Sequence, residues 1–234
     1  MKAVILAGGY GKRLRPLTET TPKPLIPVAD RPIIEWQIRW LKHYGIEDFI
    51  ICAGYLKEKI VDDIGSGHKL DVKVGYVVED VPLGTGGALK NAEHLLSGDD
   101  LFIVLNGDII TNLNPLVLAE RVSEKENAVG GIALIHLPSP YGIIEFDRET
   151  GVITRFVEKP RLQQHYINAG VYAFKSSIFS YLPEEGDIER SAFPQLADER
   201  KLIAVTYEEV EWISIDSYKD LEEAAKLVKR LPGV

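Results

Sequence analysis

The sequence predicts an α/β fold: a mainly parallel mixed sheet with helices on both faces and a partly antiparallel extension. Three observations carry this. Short apolar runs alternate with helix-periodic stretches through the first half, the runs read as strands buried on both sides, and the second half turns to short strand-like segments separated by Pro, Gly and Asp.

Taken in order, residues 2–6 (KAVIL) form a β-branched run read as a buried strand that enters a glycine-rich turn. Residues 32–44 place Ile33, Trp36, Ile38, Trp40 and Leu41 on a mostly helical period, and Gly45 is the stop. Residues 48–53 (DFIICA) are a second buried strand and 56–64 a second helix. Residues 72–78 alternate like a strand, 88–96 read as a helix, and 101–105 (LFIVL) as a further buried strand. Strands are then expected over 129–136, 142–147, 153–158, 171–174 and 212–216. The last helix spans 218–229, with Ser217 placed to cap it. No Ser- or Gly-rich linker divides the chain and no repeat is present, so the expectation is one Rossmann-like domain over 1–234, with halves 1–110 and 111–234.

Composition narrows the function. The 234 residues, 45% hydrophobic and 26% charged, suit one large α/β domain. A net charge of −8 argues against a nucleic-acid partner, whose binder would carry a basic footprint. Local charge runs the other way near the N-terminus, where Lys12, Arg13, Arg15 and Lys23 are accompanied by Glu19 alone among acids. The single Cys52 excludes an internal disulfide and reads as a small buried residue. The apolar run 1–7 breaks at Gly8, too short for a signal-peptide core, and nothing approaches the roughly 20 apolar residues of a membrane span. The expectation is a soluble, cytoplasmic chain with no membrane partner. Scarce Met, Cys, Asn and Gln beside abundant Glu, Lys and Arg point to a thermophilic source.

The first strand runs into Leu6, Ala7, Gly8, Gly9, Tyr10, Gly11, Lys12 and Arg13. The loop lacks the spacing of a Walker A motif, and the third glycine of a dinucleotide fingerprint is replaced by Leu14. Taken alone it reads equally as a chain-reversing turn. Glycines at a strand end nevertheless let backbone N–H groups approach a ligand, and Arg13 adds a planar fork suited to phosphate oxygens. Lys23 sits between Pro22 and Pro24 on a stiffened backbone, a mount that a solvated lysine does not need. Two acids fall at strand ends: Asp108 after the 101–105 run with Asn106 and Gly107, and Asp216 after 212–215. Either position suits a turn or cap residue as well as a ligand for a hard cation.

Residues 4–27, VILAGGYGKRLRPLTETTPKPLIP, resemble the signature of the sugar-phosphate nucleotidyltransferases, a long, irregular and specific pattern. The resemblance implies that the glycine loop and Arg13 bind a nucleoside triphosphate and that Lys23 contacts the reacting phosphates. It makes LNGD at 105–108 a metal-aspartate motif and Asp216 the second Mg²⁺ ligand, although Ser217 stands where glycine is usual. The stretch 79–88 resembles the family's base-recognition loop, which makes Leu83, Gly84 and Thr85 nucleobase candidates. Tyr141 with Gly142, Glu158 with Lys159, and Asn168 resemble sugar-phosphate-binding segments. Residues 1–110 would then be mainly the nucleotide half and 111–234 mainly the sugar half.

The implied partners are a nucleoside triphosphate and a sugar 1-phosphate, joined with release of pyrophosphate in the presence of Mg²⁺. The wording of the motif is nearest to mannose-1-phosphate guanylyltransferases, although no C-terminal β-helix pattern is present. The alternatives are UTP or dTTP with glucose 1-phosphate, a heptose or muramate 1-phosphate, and a non-catalytic nucleotide-sugar-binding regulator. Homo-oligomerisation is common in the family, and no residue here identifies an interface.

Overall fold

A computed structural model describes residues 1–96 and 98–231. The strands are β1 (Lys2–Ala7), β2 (Pro27–Val28), β3 (Arg31–Pro32), β4 (Asp48–Ala53), β5 (Lys73–Val78), β6 (Leu101–Asn106), β7 (Ile109–Thr111), β8 (Gly130–Pro138), β9 (Ile143–Phe146), β10 (Ile153–Val157), β11 (Arg161–Lys175), β12 (Leu202–Thr206) and β13 (Trp212–Ser214). The α-helices are α1 (Leu17–Thr20), α2 (Ile33–His43), α3 (Lys57–Ile64), α4 (Gly84–Asn91), α5 (Glu93–Leu96), α6 (Pro115–Ser123), α7 (Ala192–Asp198) and α8 (Tyr218–Leu227).

Seven strands form one sheet in the order β12-β8-β11-β6-β1-β4-β5. β5, β4, β1 and β6 run parallel, β11 is antiparallel to β6 and β8, and β12 is parallel to β8. The sheet therefore continues across residue 110, with strands of both halves in one hydrogen-bonded layer. β1 has β4 on one side and β6 on the other, so the strand order reverses there and leaves a crevice at their C-terminal ends.

The apolar runs are continuous because both faces are covered. Ala3, Ile5 and Ala7 pack with α2, α3 and α6 on one face, while Val4 packs with α4, α5 and α7 on the other. The same period of two divides β4, with Phe49 and Ile51 on the first face and Ile50 and Cys52 on the second. Burial pushes the Cys52 thiol up to about 12, with the Glu79 charge adding to it, as suits an inert core residue.

Some boundaries differ from the sequence reading. β11 spans Arg161–Lys175 rather than 171–174 alone. Its polar first part is held as a strand by pairing with β8, from Arg161 opposite Pro138 to Asn168 opposite Leu134. α4 begins at Gly84, four residues before the apolar period does, because Gly186 accepts from the N–H groups of Gly86 and Gly87 and supports the first turn. α6, α7 and β12 were not anticipated. α6 carries an N-cap from Asn114 to the Leu116 N–H and Pro115 at its first position, a start signal present in the sequence. At the other end of the chain, Ser217 caps α8 as expected, in a reciprocal box with Asp220.

Candidate active site

The glycine loop leaves the C-terminal end of β1 and lines a cleft of about 560 Å³. Leu6, Ala7, Gly8, Gly9, Gly11 and Arg13 line it, as do Lys23, Gly84, Thr85, Asp108 and Asp216. Gly11 has φ 59°, and a Cβ there would stand 2.8 Å from Thr18 Cγ2 and 3.1 Å from Lys23 Cβ, so glycine is required by conformation and by space. The Thr18 hydroxyl donates to Gly11 O at 3.0 Å, which ties the loop to the short α1.

Lys23 and the two acids meet beside this loop, Lys23 Cβ lying 3.1 Å from where a Gly11 Cβ would stand. The Lys23 ammonium donates to Asp108 Oδ2 at 2.7 Å and to Asp216 Oδ1 at 3.0 Å, and Arg13 Nη1 lies 3.0 Å from Asp216 Oδ2. Two small strands bring the acids together: β7 follows Asp108, β13 precedes Asp216, and they pair antiparallel from Ile109 opposite Ser214. The Ile215 N–H then donates to Asp108 O at 2.9 Å. From beneath, the buried Gln37 of α2 donates to Asn106 O and Ile109 O, both at 2.9 Å, and fixes the turn that presents Asp108. Asp216 is held by its own N–H donating to Asp220 Oδ2 at 2.9 Å, the same carboxylate that closes the α8 cap. Burial alone would push the Asp216 carboxyl up. The Lys23 hydrogen bond and the Lys23 and Arg13 charges outweigh it and hold the group below the ordinary Asp value.

Glu79 also lines the cleft. It follows the end of β5 and reaches across to the glycine loop, so that a Cβ on Gly8 would fall 2.3 Å from Glu79 Oε1, and one on Gly54 2.5 Å from it. Glu79 Oε2 accepts from the Leu83 N–H at 3.3 Å. Burial raises this carboxyl above the usual Glu range, with the Leu83 hydrogen bond and Lys57 opposing. Pro82, Gly84 and Thr85 border the cleft here, whereas the Thr85 hydroxyl donates to Glu189 Oε2 at 2.7 Å and accepts from the Ile188 N–H. The α4 amides of Gly86 and Gly87 are taken by Gly186 O, so these two N–H groups are not free for a ligand.

A family model described as nucleotidyl transferase matches residues 2–230. The chain belongs to the nucleotidyl transferase family.

Among relatives of this chain, a mannose-1-phosphate guanyltransferase of Yarrowia lipolytica is 38% identical over 226 residues, covering 94% of this chain and 62% of the relative. The mannose-1-phosphate guanylyltransferase catalytic subunit beta of Dictyostelium discoideum is 36% identical over 225 residues, with the same shares. The chain thus spans 62% of the length of these curated relatives. Among solved structures, a Bacillus anthracis protein described as a glucose-1-phosphate thymidylyltransferase, in complex with a sucrose, aligns with TM-score 0.78 at 27% identity, over 99% of this chain and 96% of that one. HddC from Yersinia pseudotuberculosis, complexed with GMP-PN, aligns with TM-score 0.73 at 26% identity, over 96% and 98%.

The segments expected to bind the sugar phosphate lie on the antiparallel extension and are not among the residues lining the cleft. Tyr141 and Gly142 precede β9, Glu158 and Lys159 follow β10, and the latter two pair at 3.6 Å. Asn168, on β11, donates to the Tyr172 hydroxyl at 2.9 Å and accepts from the Gly170 N–H at 2.8 Å. The sequence reading passed over Glu79, Asn106 and Asp187 as lining residues. Glu79 and Asn106 stand at strand ends, the same signal that singled out Asp108. Asp187 lies in an irregular segment between Ser180 and α7 where no periodicity operates.

Proposed function

We propose that this chain transfers a nucleoside monophosphate from a nucleoside triphosphate to a sugar 1-phosphate, with release of pyrophosphate. The observation that carries the proposal is the Lys23 ammonium shared between Asp108 and Asp216, in a cleft that the glycine loop also lines. Two polyanions that must be brought together need this kind of fixed positive charge. In this reading residues 1–110 are the nucleotide half and 111–234 the sugar half of one domain.

A phosphate monoester has a second pKa of about 6, so a sugar 1-phosphate carries its own nucleophilic oxygen near neutrality. That oxygen forms the new bond to the α-phosphorus while the bond to pyrophosphate breaks, and no side chain need take up a proton. Leu6, Ala7 and the Gly8, Gly9 and Gly11 backbone border the triphosphate. Arg13, exposed at the cleft mouth, receives its outer oxygens, and Lys23 stands between the reacting groups. Tyr141, Gly142, Glu158, Lys159 and Asn168 are assigned to the sugar phosphate, and Gly84 and Thr85, with their neighbour Leu83, to the base side.

The donor set suits Mg²⁺, which takes hard oxygen ligands and is commonly held by one or two carboxylates together with substrate phosphates. Asp108 and Asp216 would hold it. Bound there, the ion neutralises charge on the transferring phosphate.

We assign the base as guanine and the sugar as mannose. The names of the curated relatives, at 38% and 36% identity, support both, whereas the aligned structure at 27% identity is described as a glucose-1-phosphate thymidylyltransferase; Glu79 supports the first. A carboxylate only accepts hydrogen bonds. Guanine offers it two adjacent donors, N1–H and N2–H₂, whereas uracil and thymine offer one N–H flanked by two carbonyl oxygens that a carboxylate repels. Glu79→Gln is therefore expected to lower kcat/KM for GTP by about 10–10²-fold, the worth of charged hydrogen bonds, and to improve UTP or dTTP relative to it. An unchanged preference would remove Glu79 from base selection.

The overall reading is tested by pyrophosphate release on a grid of nucleoside triphosphates and sugar 1-phosphates with Mg²⁺. The expected maximum is GTP with mannose 1-phosphate. A maximum at dTTP or UTP with glucose 1-phosphate would overturn the substrate assignment alone. No turnover anywhere, with tight nucleotide-sugar binding, would instead make the chain a regulator.

A further inference from the structure

Tyr172, on β11, is fully buried. Its ring stacks on Phe174, with centroids 5.7 Å apart, and meets Phe193 edge-on at 5.2 Å, contacts that a phenylalanine would make equally well. The hydroxyl is what sets it apart, and a hydroxyl carried into an apolar cluster is costly unless it is bonded. Here its bonding is complete. Asn168 Nδ2 donates to it at 2.9 Å, the Asn106 side-chain amide donates to it as well, and its own proton is directed to Glu189 Oε1 at 3.4 Å. Two lone pairs and one proton are all that a phenol offers. Burial and the Glu189 charge push its pKa up, so the proton stays in place across neutral pH.

The three partners come from three parts of the site. Asn106 ends β6 and lines the cleft, just before Gly107 and Asp108. Asn168 belongs to the sugar side. Glu189 accepts on its other oxygen from the Thr85 hydroxyl at 2.7 Å, on the base side. One hydroxyl thus ties the sugar strand to two residues that border the cleft. Strand β11 is shaped for this contact. Asn168 stands opposite Leu134 and Tyr172 opposite Ile132, so four steps of β11 pass two of β8. A straight strand would carry four residues over about 13 Å. The bulge takes up the excess and lets the two side chains meet. Asn106 Oδ1 is meanwhile left buried with no protein partner, so its amide is turned to serve the hydroxyl although its acceptor goes unsatisfied.

We propose that Tyr172 is a positioning residue, whose hydroxyl sets the Asn168 side chain for the sugar end of the substrate; this rests on the nucleotidyl-transfer reading above. The three partners differ in what else holds them. The turn that carries Asp108 keeps two hydrogen bonds from Gln37 and the β7–β13 pairing. Thr85 keeps the Ile188 N–H at 2.9 Å. Asn168 keeps the N–H of neighbouring Gly170, which holds Oδ1 and leaves the amide free to turn about that bond. Loss of the hydroxyl therefore falls on the sugar side and spares the nucleotide side.

The test compares Tyr172→Phe with the wild type by titration calorimetry, using GTP and GDP-mannose or the pair that the substrate grid selects, beside pyrophosphate-release kinetics. Phenylalanine keeps the ring contacts and removes the hydroxyl alone. The expected result is affinity for the nucleotide sugar weakened about tenfold, roughly the worth of one hydrogen bond, with affinity for the triphosphate changed less than about threefold. KM for the sugar 1-phosphate should rise by the same factor while kcat stays within about threefold. Added to Asn168→Ala, the substitution should cost no more than about twofold further, since the two act through one contact. Phe193→Leu removes packing from the same ring and keeps the hydroxyl. It is expected to lower the melting temperature and leave both affinities within about twofold. No change in Tyr172→Phe, an equal loss for both ligands, an additive loss on Asn168→Ala, or the same loss in Phe193→Leu would each overturn the inference. Binding without turnover would make the chain a regulator and leave the affinities to decide the role of Tyr172. A wild type that binds neither ligand would overturn the nucleotidyl-transfer reading, and this inference with it.

Discussion

Lys23→Ala is expected to lower kcat/KM by about 10²–10³-fold, the usual cost of losing one preorganised charge beside a transferring phosphate. The Lys23 side chain is 12% exposed, and its ammonium binds one oxygen of each acid at 2.7 and 3.0 Å. Arg13 cannot replace it, since its guanidinium sits at the cleft mouth with 76% of the side chain exposed and reaches only Asp216. Lys23→Arg is expected to restore little, because a planar fork does not fit where a compact ammonium bridges two carboxylates. The substitution also has a pH signature. Burial pushes Asp216 up, and the Lys23 hydrogen bond and charge pull it below the ordinary value. Removing Lys23 therefore moves Asp216 protonation to higher pH, and the acid limb of residual activity should shift upward with it. Near-normal turnover in Lys23→Ala, at an unchanged pH profile, would remove the lysine from the mechanism.

Gly107→Ala is expected to damage stability and activity together. A Cβ at this position would lie 2.6 Å from Leu6 O and 3.4 Å from Ala7 Cα, both backbone atoms of β1 at the centre of the sheet. Gly107 N–H already donates to that same Leu6 O at 2.9 Å, and Leu6 is paired on both sides, with Cys52 and Asn106. No flexible side chain can yield, so either β1 or the turn carrying Asp108 must move. Overpacking of this kind costs about 1–3 kcal/mol, which for a domain of this size lowers the melting temperature by roughly 2–4 °C per kcal/mol. A displacement of about 1 Å at Asp108 is enough for a loss near 10²-fold in kcat. A Gly107→Ala protein with the wild-type melt and turnover would show that the contact relaxes freely.

Much of this architecture could be read before any coordinates. β1, β4 and β6 were legible because a strand covered on both faces has no polar alternation to lose, and α2 because Ile33, Trp36 and Trp40 keep a helical period up to Gly45. Lys23 was legible for a different reason, since two flanking prolines leave its backbone little freedom. The region around α7 was not. Ala192–Asp198 is seven residues long with Pro194 in its first turn, and its burial depends on Phe193 packing against Tyr172 and Phe174 from a distant strand. The first half of β11 carries polar residues that become a strand only because β8 is beside them.

The sequence by itself determined the covalent and local terms: which runs are apolar, where glycine and proline restrict or free the backbone, and which strands end in an acid. These depend on neighbours in the chain, so each can be read from the short stretch that contains it. Only the tertiary structure decided that Lys23, Asp108 and Asp216, separated by 85 and 193 positions from the lysine, share one ammonium. It also decided that Glu79 fills the space over Gly8. The first is set by the β7–β13 pairing and the second by the meeting of segments at strand ends. Such contacts between distant segments are fixed by packing of the whole chain and leave no local pattern.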